Sequence, residues 1–179
     1  MGERARFAEA LMRTLARRRV PLGLIAAIVT LVLARPTWTS WRAGLAIAAL
    51  GEMVRVWAAG HLEKSREVTT SGPYRWMRHP LYAGSSIMAI GIVIASRSVF
   101  VAVLTTVYMT ATLTAAVRTE EAFLMRAFGD TYHRYRESRS QPMERRFSLA
   151  RAMRNREYRA AAGLTAGFAL LALKVIGYL

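Results

Sequence analysis

Five apolar runs, at about residues 20–34, 38–60, 80–96, 99–117 and 160–179, are separated by segments dense in arginine. Each run is close to the ~20 residues an α-helix needs to cross the hydrocarbon core of a bilayer. In lipid, backbone N–H and C=O groups must be satisfied within the segment, which leaves helices as the spanning element for a chain of this pattern. The first run is short, but Leu15-Ala16 and Trp38 extend it toward the two interfaces. The turn Ser96-Arg97-Ser98 joins the third and fourth runs as an antiparallel hairpin. The fifth run is clean except for Lys174, near its end and able to snorkel.

Charge placement gives the expected orientation. Six basic residues precede the first run, four lie between 61 and 79, and eleven lie between 118 and 159. With five spans and a cytoplasmic N-terminus, all three segments fall on the cytoplasmic side, as the positive-inside rule requires. The expectation is therefore an all-α, polytopic membrane helix bundle of about five transmembrane helices. It forms a single membrane domain over 1–179, in the cell (inner) membrane. The basic start from Arg4 to Arg19 reads as part of a retained signal-anchor helix, because no small-residue cleavage site follows it. A net charge of +15 would also suit a nucleic-acid binder, but a chain 54% hydrophobic with several uncharged apolar runs is not one. No cysteine is present, which excludes disulfides, thiolate catalysis and thiolate metal sites.

Between the fourth and fifth runs, Phe123, Leu124, Ala127 and Phe128 recur at helical spacing, and Gly129 supplies a left-handed cap. Asp130 then starts a second helix carrying Tyr132, His133 and Tyr135, which Pro142 breaks. Residues 141–159 are basic, and those from 144 suit an amphipathic helix on anionic headgroups.

Two polar clusters stand out against this background. The first is Ser71-Gly-Pro-Tyr-Arg-Trp-Met-Arg-His-Pro-Leu-Tyr-Ala-Gly84, where Gly72-Pro73 turns the chain and Pro80 opens a helix. Proline is tolerated there because the first helical N–H is unbonded anyway. The free amides at that helix start, beside Arg78 and His79, form a seat for a carboxylate or phosphate. The plain alternative is that Arg75 and Arg78 only obey the charge rule and His79 caps the helix. The second cluster is Arg118-Thr-Glu-Glu121. One carboxylate is expected to face inward, to bind an ammonium or cation, and the other to face water; the alternative is a surface salt bridge to Arg118 or Arg126. Inside the second run, Glu52 and Arg55 stand three residues apart, as an internal ion pair or a cavity lining. Ala83, Gly84, Ala89 and Gly91 let helices approach closely. No phosphate loop, HExxH or nucleophile elbow is present, and three scattered histidines make no metal site.

The pattern Gly72-Pro-Tyr-Arg-x-x-Arg-His-Pro-x-Tyr-x-Gly84 followed by Glu120-Glu-x-x-Leu-x-x-x-Phe-Gly-x-x-Tyr-x-x-Tyr135 resembles the isoprenylcysteine carboxyl methyltransferase and phospholipid methyltransferase superfamily. Arg55-x-Trp57 is similar to the family's preceding helix, so the resemblance covers roughly 45–140 as a methyltransferase-like core. Residues 141–159 and a further transmembrane helix, 160–179, lie largely beyond it. The resemblance implies S-adenosylmethionine as cofactor, bound without a Rossmann domain. It implies that Tyr74, His79, Pro80, Leu81 and Tyr82 line the cofactor site, that Glu120 closes it beside Glu121, and that Val68 and Thr69 offer backbone to the adenosine. It also implies a lipid or prenylated small-molecule acceptor, with membrane lipids as the other partner and the site on the cytoplasmic face. Carboxyl O-methylation of an isoprenylcysteine-type molecule is the lead, and needs a positioning cation, Arg118 or Arg55. N-methylation of an aminophospholipid is the alternative, and needs a base such as Glu52 or Glu121. A sterol-reductase-like enzyme using NADPH and a non-enzymatic membrane scaffold are the remaining readings.

Overall fold

The computed structural model describes Thr14, Arg18 and residues 21–177, and every described element is helical. The elements run α1 (Pro21–Leu33), α2 (Trp38–Ala59), a 3-10 turn (Gly72–Arg75), α3 (Pro80–Ser96), α4 (Val99–Arg136), α5 (Leu149–Arg154) and α6 (Tyr158–Ile176). Apart from Arg18, the basic start, the signal-anchor reading attached to it and the Leu15-Ala16 extension lie outside the described residues.

Local chemistry explains the helix ends. Pro36 stops the chain after α1, and Thr37 with Ser40 makes a reciprocal capping box at the start of α2. Pro80 opens α3, whose N-cap residue His79 makes no side-chain cap hydrogen bond, so its imidazole is left for other partners. Arg97, in the left-handed region, and the Ser98 cap turn α3 into α4.

Helices α1, α2, α3, α4 and α6 alternate in direction. At one end the Arg35 N–H donates to Ser96 O (2.8 Å), and Lys174 Nζ donates to Leu31 O (2.6 Å) and Val32 O (2.8 Å). Lys174 thus caps the last carbonyls of α1 rather than reaching only for the interface. The apolar core sits toward that end, where Ala48, Ala95, Phe168 and Leu171 are buried with Trp41 and Leu45 against them. Trp41 Nε1 donates to Phe168 O at 2.8 Å and ties α2 to α6. Helices α2 and α3 touch through glycine: a Cβ on Gly44 would meet Gly91 O at 2.4 Å, and one on Gly51 would meet Gly84 O at 2.6 Å. Of the small residues expected to allow close approach, Gly84 and Gly91 do so here, whereas Ala89 faces a cavity.

Two helices, α4 and α6, are long and apolar enough to cross a membrane; α1 and α3 are apolar but shorter. Val99 and Phe100 are 79% and 76% exposed, and Val103, Val107, Ile25 and Val32 also point outward. So large an outward apolar surface suits lipid rather than water. Such a surface, beside two helices long and apolar enough to cross a bilayer, is that of a membrane helical protein.

Helix α4 carries on past the apolar run to Gly129, where φ is +42°, and there bends toward Arg136. Two expectations are corrected. Pro142 is not what ends α4: the helix finishes at Arg136, six residues earlier. Residues 144–159 do not form one interfacial helix. They run extended to Ser148, make the short α5 and enter α6 at Tyr158. The reason is acidic partners on the loop before the 3-10 turn. Arg145 forms a two-armed pair with Glu67 (2.5 and 2.8 Å), and Arg151 Nε donates to Glu63 at 2.8 Å. Asn155 Nδ2 donates to Ala59 O and Leu62 O, capping α2. The segment is a strap across this end of the bundle.

Candidate active site

The 3-10 turn, the start of α3 and the polar end of α4 converge at the end of the bundle opposite its core. Gly72 has φ +55°, and a Cβ there would meet the His61 ring at 2.6 Å, so only glycine makes this turn. His79 and Tyr82 lie three residues apart on one side of α3, and their rings stack with centroids 5.7 Å apart. Tyr82 Oη donates to Glu120 Oε2 at 2.7 Å. Glu121 Oε1 lies 3.1 Å from His79 Nε2 and accepts from Arg78 Nη1 at 3.0 Å. After the Gly129 bend, Tyr135 Oη donates to Tyr74 O at 2.8 Å. The Tyr132 hydroxyl is buried beside Glu121 with no well-formed hydrogen bond.

Electrostatics keep these groups in defined states. Burial, and then the charge of Glu120, push the Tyr74 hydroxyl well above its usual value. Burial pushes Tyr135 up to about 12, so both phenols stay protonated donors. Burial pulls Glu121 upward, but the hydrogen bond from His79 and the charge of Arg78 outweigh it and hold the carboxyl below the usual range.

The expected site residues divide into three groups. Tyr74, His79, Pro80, Leu81, Tyr82, Glu120 and Glu121 come together at this end, with the buried Val68 and Thr69 on the loop just before it. The inward-and-outward assignment of the two glutamates fails: both are half-buried, both turn to α3, and neither pairs with Arg118 or Arg126. Arg118 is exposed and has no ion-pair partner among the described residues. Glu52 and Arg55 lie deeper, and the expected internal pair is secondary. Arg55 Nε is 3.8 Å from Glu52 but 2.6 Å from Glu157, which sequence reasoning passed over. Glu157 sits among six arginines between 145 and 159 and reads there as a surface counter-ion; its one signal was its place at the mouth of an apolar run.

Arg55 also links two compartments. Its Nη1 donates to Leu81 O (3.3 Å) and to Ser85 Oγ, so it lies against the first turns of α3 that carry Tyr82. On its other side is an apolar cavity of about 740 Å³ bounded by α1, α3, α4 and α6, with Leu24, Ile28, Met88, Tyr108 and Leu164 in its wall. Arg55 and Ser85 form its polar end. A second groove of about 530 Å³ between α2 and α6 carries Glu52. Among the described residues, no group of three His, Cys, Asp or Glu could hold a metal ion.

Residues 22–131 match the family described as phospholipid methyltransferase. The cobalt-zinc-cadmium resistance protein CzcN of Cupriavidus metallidurans is 30% identical over 138 residues, covering 69% of this chain and 63% of that protein. The nickel-cobalt-cadmium resistance protein NccN of Alcaligenes xylosoxydans is 31% identical over 87 residues, 48% of this chain and 39% of that protein. The protein-S-isoprenylcysteine O-methyltransferase of Schizosaccharomyces pombe is 32% identical over 78 residues, 44% of this chain and 33% of that enzyme. The chain thus spans from a third to just under two thirds of these relatives' length. No solved structure matches it.

Proposed function

The chain belongs to the phospholipid methyltransferase family, and from that premise we propose that it transfers a methyl group from S-adenosylmethionine to an amphiphilic acceptor drawn from the bilayer. One observation carries this reading. A polar cluster of tyrosine, histidine and glutamate stands within a helical turn of the polar end of a large apolar cavity, where Arg55 binds the Leu81 carbonyl next to Tyr82.

The residues at the cluster fit the cofactor. Among the described residues Glu120 accepts from the Tyr82 hydroxyl and from no other side chain, and so keeps acceptor capacity for the cofactor's ammonium. Arg78 and His79 would draw its carboxylate, and the buried Tyr132 hydroxyl adds a polar atom with no settled partner. The stacked His79 and Tyr82 rings offer aromatic faces to a cation. Bound there, S-adenosylmethionine would supply an electrophilic methyl group on a sulfonium. The protein's own contribution is alignment and exclusion of water, which together can supply ~7–11 kcal/mol of a barrier. By the positive-inside argument, this end faces the cytoplasm.

The acceptor's head group divides the readings. The names of the isoprenylcysteine relatives favour a carboxylate acceptor. That reaction needs a free positioning cation in the site, yet Arg118 is exposed and does not line the cavity, and Arg55 is engaged by Glu157. A primary or secondary amine acceptor needs a base instead. Glu52, whose buried carboxylate oxygens have no hydrogen-bond partner, stands close to Arg55. This pairing favours N-methylation of an amine-bearing lipid as the second reading.

Calorimetric titration of the nanodisc-reconstituted protein with S-adenosylhomocysteine, and with NADPH in parallel, tests the proposal. Saturable S-adenosylhomocysteine binding, weakened about tenfold in Tyr82→Phe, is the expected result. Binding of NADPH alone by a folded sample would move the protein to a reductase-like activity, and no binding of either would leave a scaffold.

A further inference from the structure

The strap delivers one acidic side chain into the bundle. Asn155 anchors it to Ala59 O at the end of α2 and to Leu62 O just beyond, Arg156 takes a left-handed turn at φ +61°, and the Glu157 N–H donates to Ala152 O at 3.2 Å. This reversal drops Glu157 against Arg55, with its side chain only 7% exposed. The residue lies beyond the 22–131 segment that matches the family. Among the described residues Arg55 is the one charged side chain lining the apolar cavity, so whatever holds Arg55 decides which head group the cavity's polar end accepts.

We infer that Glu157 is a specificity-determining residue: by holding Arg55 it makes the cavity select an alkyl chain ending in an amine over one ending in an anion. The inference rests on the reading that the acceptor's tail occupies this cavity. Its physical basis is charge balance. Arg55 Nε faces Glu157, its Nη1 is bound to Leu81 O and Ser85 Oγ, and Glu52 stands 3.8 Å away. One guanidinium therefore meets two carboxylates. With both ionised the cluster lacks one positive charge, which an ammonium head supplies. With one protonated the cluster is neutral and still offers no unpaired cation. An anionic head is disfavoured in either state, because it must displace Glu157 or lie beside like charge in a poorly solvated place. The cavity wall itself is apolar and sets no preference of charge.

Two probes of equal chain length and opposite charge at neutral pH, dodecylamine (as its ammonium) and dodecylsulfonate, separate the alternatives when titrated into the full chain in nonionic detergent. Narrowing the cavity by Met88→Trp must weaken binding of both probes in a folded sample, or the probes do not occupy it and the inference falls. The wild type is expected to bind dodecylamine about tenfold more tightly than dodecylsulfonate, the ratio that corresponds to ~1.4 kcal/mol. Glu157→Gln should erase or reverse that ratio, and Glu157→Asp should keep it. An unchanged ratio in folded Glu157→Gln, or a wild type that prefers the sulfonate, overturns the inference. If Glu157→Gln does not fold, Glu52→Gln removes a carboxylate from the same cluster and must shift the ratio in the same direction; no shift is an equally negative result. Probe binding needs no cofactor. A wild type that binds S-adenosylhomocysteine but does not prefer dodecylamine would sink this inference alone, while a wild type that selects dodecylamine but does not bind S-adenosylhomocysteine would sink the methyl-transfer reading alone.

Discussion

Glu120 and Glu121 are chain neighbours with different work. Among the described residues Glu120 accepts from the Tyr82 hydroxyl alone, whereas Glu121 neutralises Arg78 and meets His79. Replacing the first by glutamine keeps an oxygen for Tyr82 and removes the charge proposed to hold the cofactor's ammonium. Glu120→Gln should weaken S-adenosylhomocysteine binding about tenfold with the thermal midpoint nearly unchanged. Glu121→Gln leaves Arg78 and His79 without their carboxylate and should cost about 1 kcal/mol of stability, a modest figure because Arg78 is largely solvated. Calorimetry and thermal unfolding on both variants check the pair of outcomes. Equal binding losses at unchanged stability would mean both carboxylates touch the cofactor. The adjacent glutamates were legible as a candidate site in the sequence. Their division of labour was not, because it depends on which partner α3 presents to each.

At the scale of elements, the strap is the feature that periodicity could not foresee. Eleven basic residues between 118 and 159 read as a surface for lipid headgroups. In the folded chain Arg145 and Arg151 turn instead to Glu67 and Glu63, some eighty residues earlier. The hydrogen bond from Arg151, with help from the charges of Arg151, Arg154 and Arg145, holds the Glu63 carboxyl below its ordinary value of 4.5. A group whose folded pKa is depressed stabilises the fold above the unfolded pKa and stops doing so as pH falls through the folded one. The thermal midpoint of the wild type should therefore decline more steeply than that of Glu63→Gln as pH is lowered through and below 4.5. Parallel curves for the two proteins would show that the Glu63 pair contributes nothing to the strap.

The whole molecule places both polar clusters, the 60–71 loop and the strap at one end, and the α3–α4 turn at the other. The native chain has no cysteine, so single introduced thiols report position without background. Lys64→Cys and Arg139→Cys should label with a membrane-impermeant maleimide from one side of a sealed vesicle, and Arg97→Cys from the other. All three positions are exposed, so access is limited by the membrane and not by burial. Labelling of Arg97→Cys from the same side as Lys64→Cys would contradict a bundle whose hairpin crosses the bilayer.

Hydrophobic run length and capping residues determined by themselves where α2 and α3 begin and end. They are local properties, set by Thr37, Pro80 and the apolar stretches that follow. The same local logic marked Gly129 as a left-handed break and set the Tyr82 and Glu120 motifs at one end of adjacent helices. Tertiary structure alone decided what each buried charge meets. Glu52 and Arg55 are three residues apart, and helical spacing pairs them, yet Arg55 lies closest to a glutamate about a hundred residues away. An ion buried in apolar surroundings takes the nearest opposite charge in space. Which charge is nearest depends on the path of the strap, a long-range packing outcome that neither periodicity nor charge counting encodes.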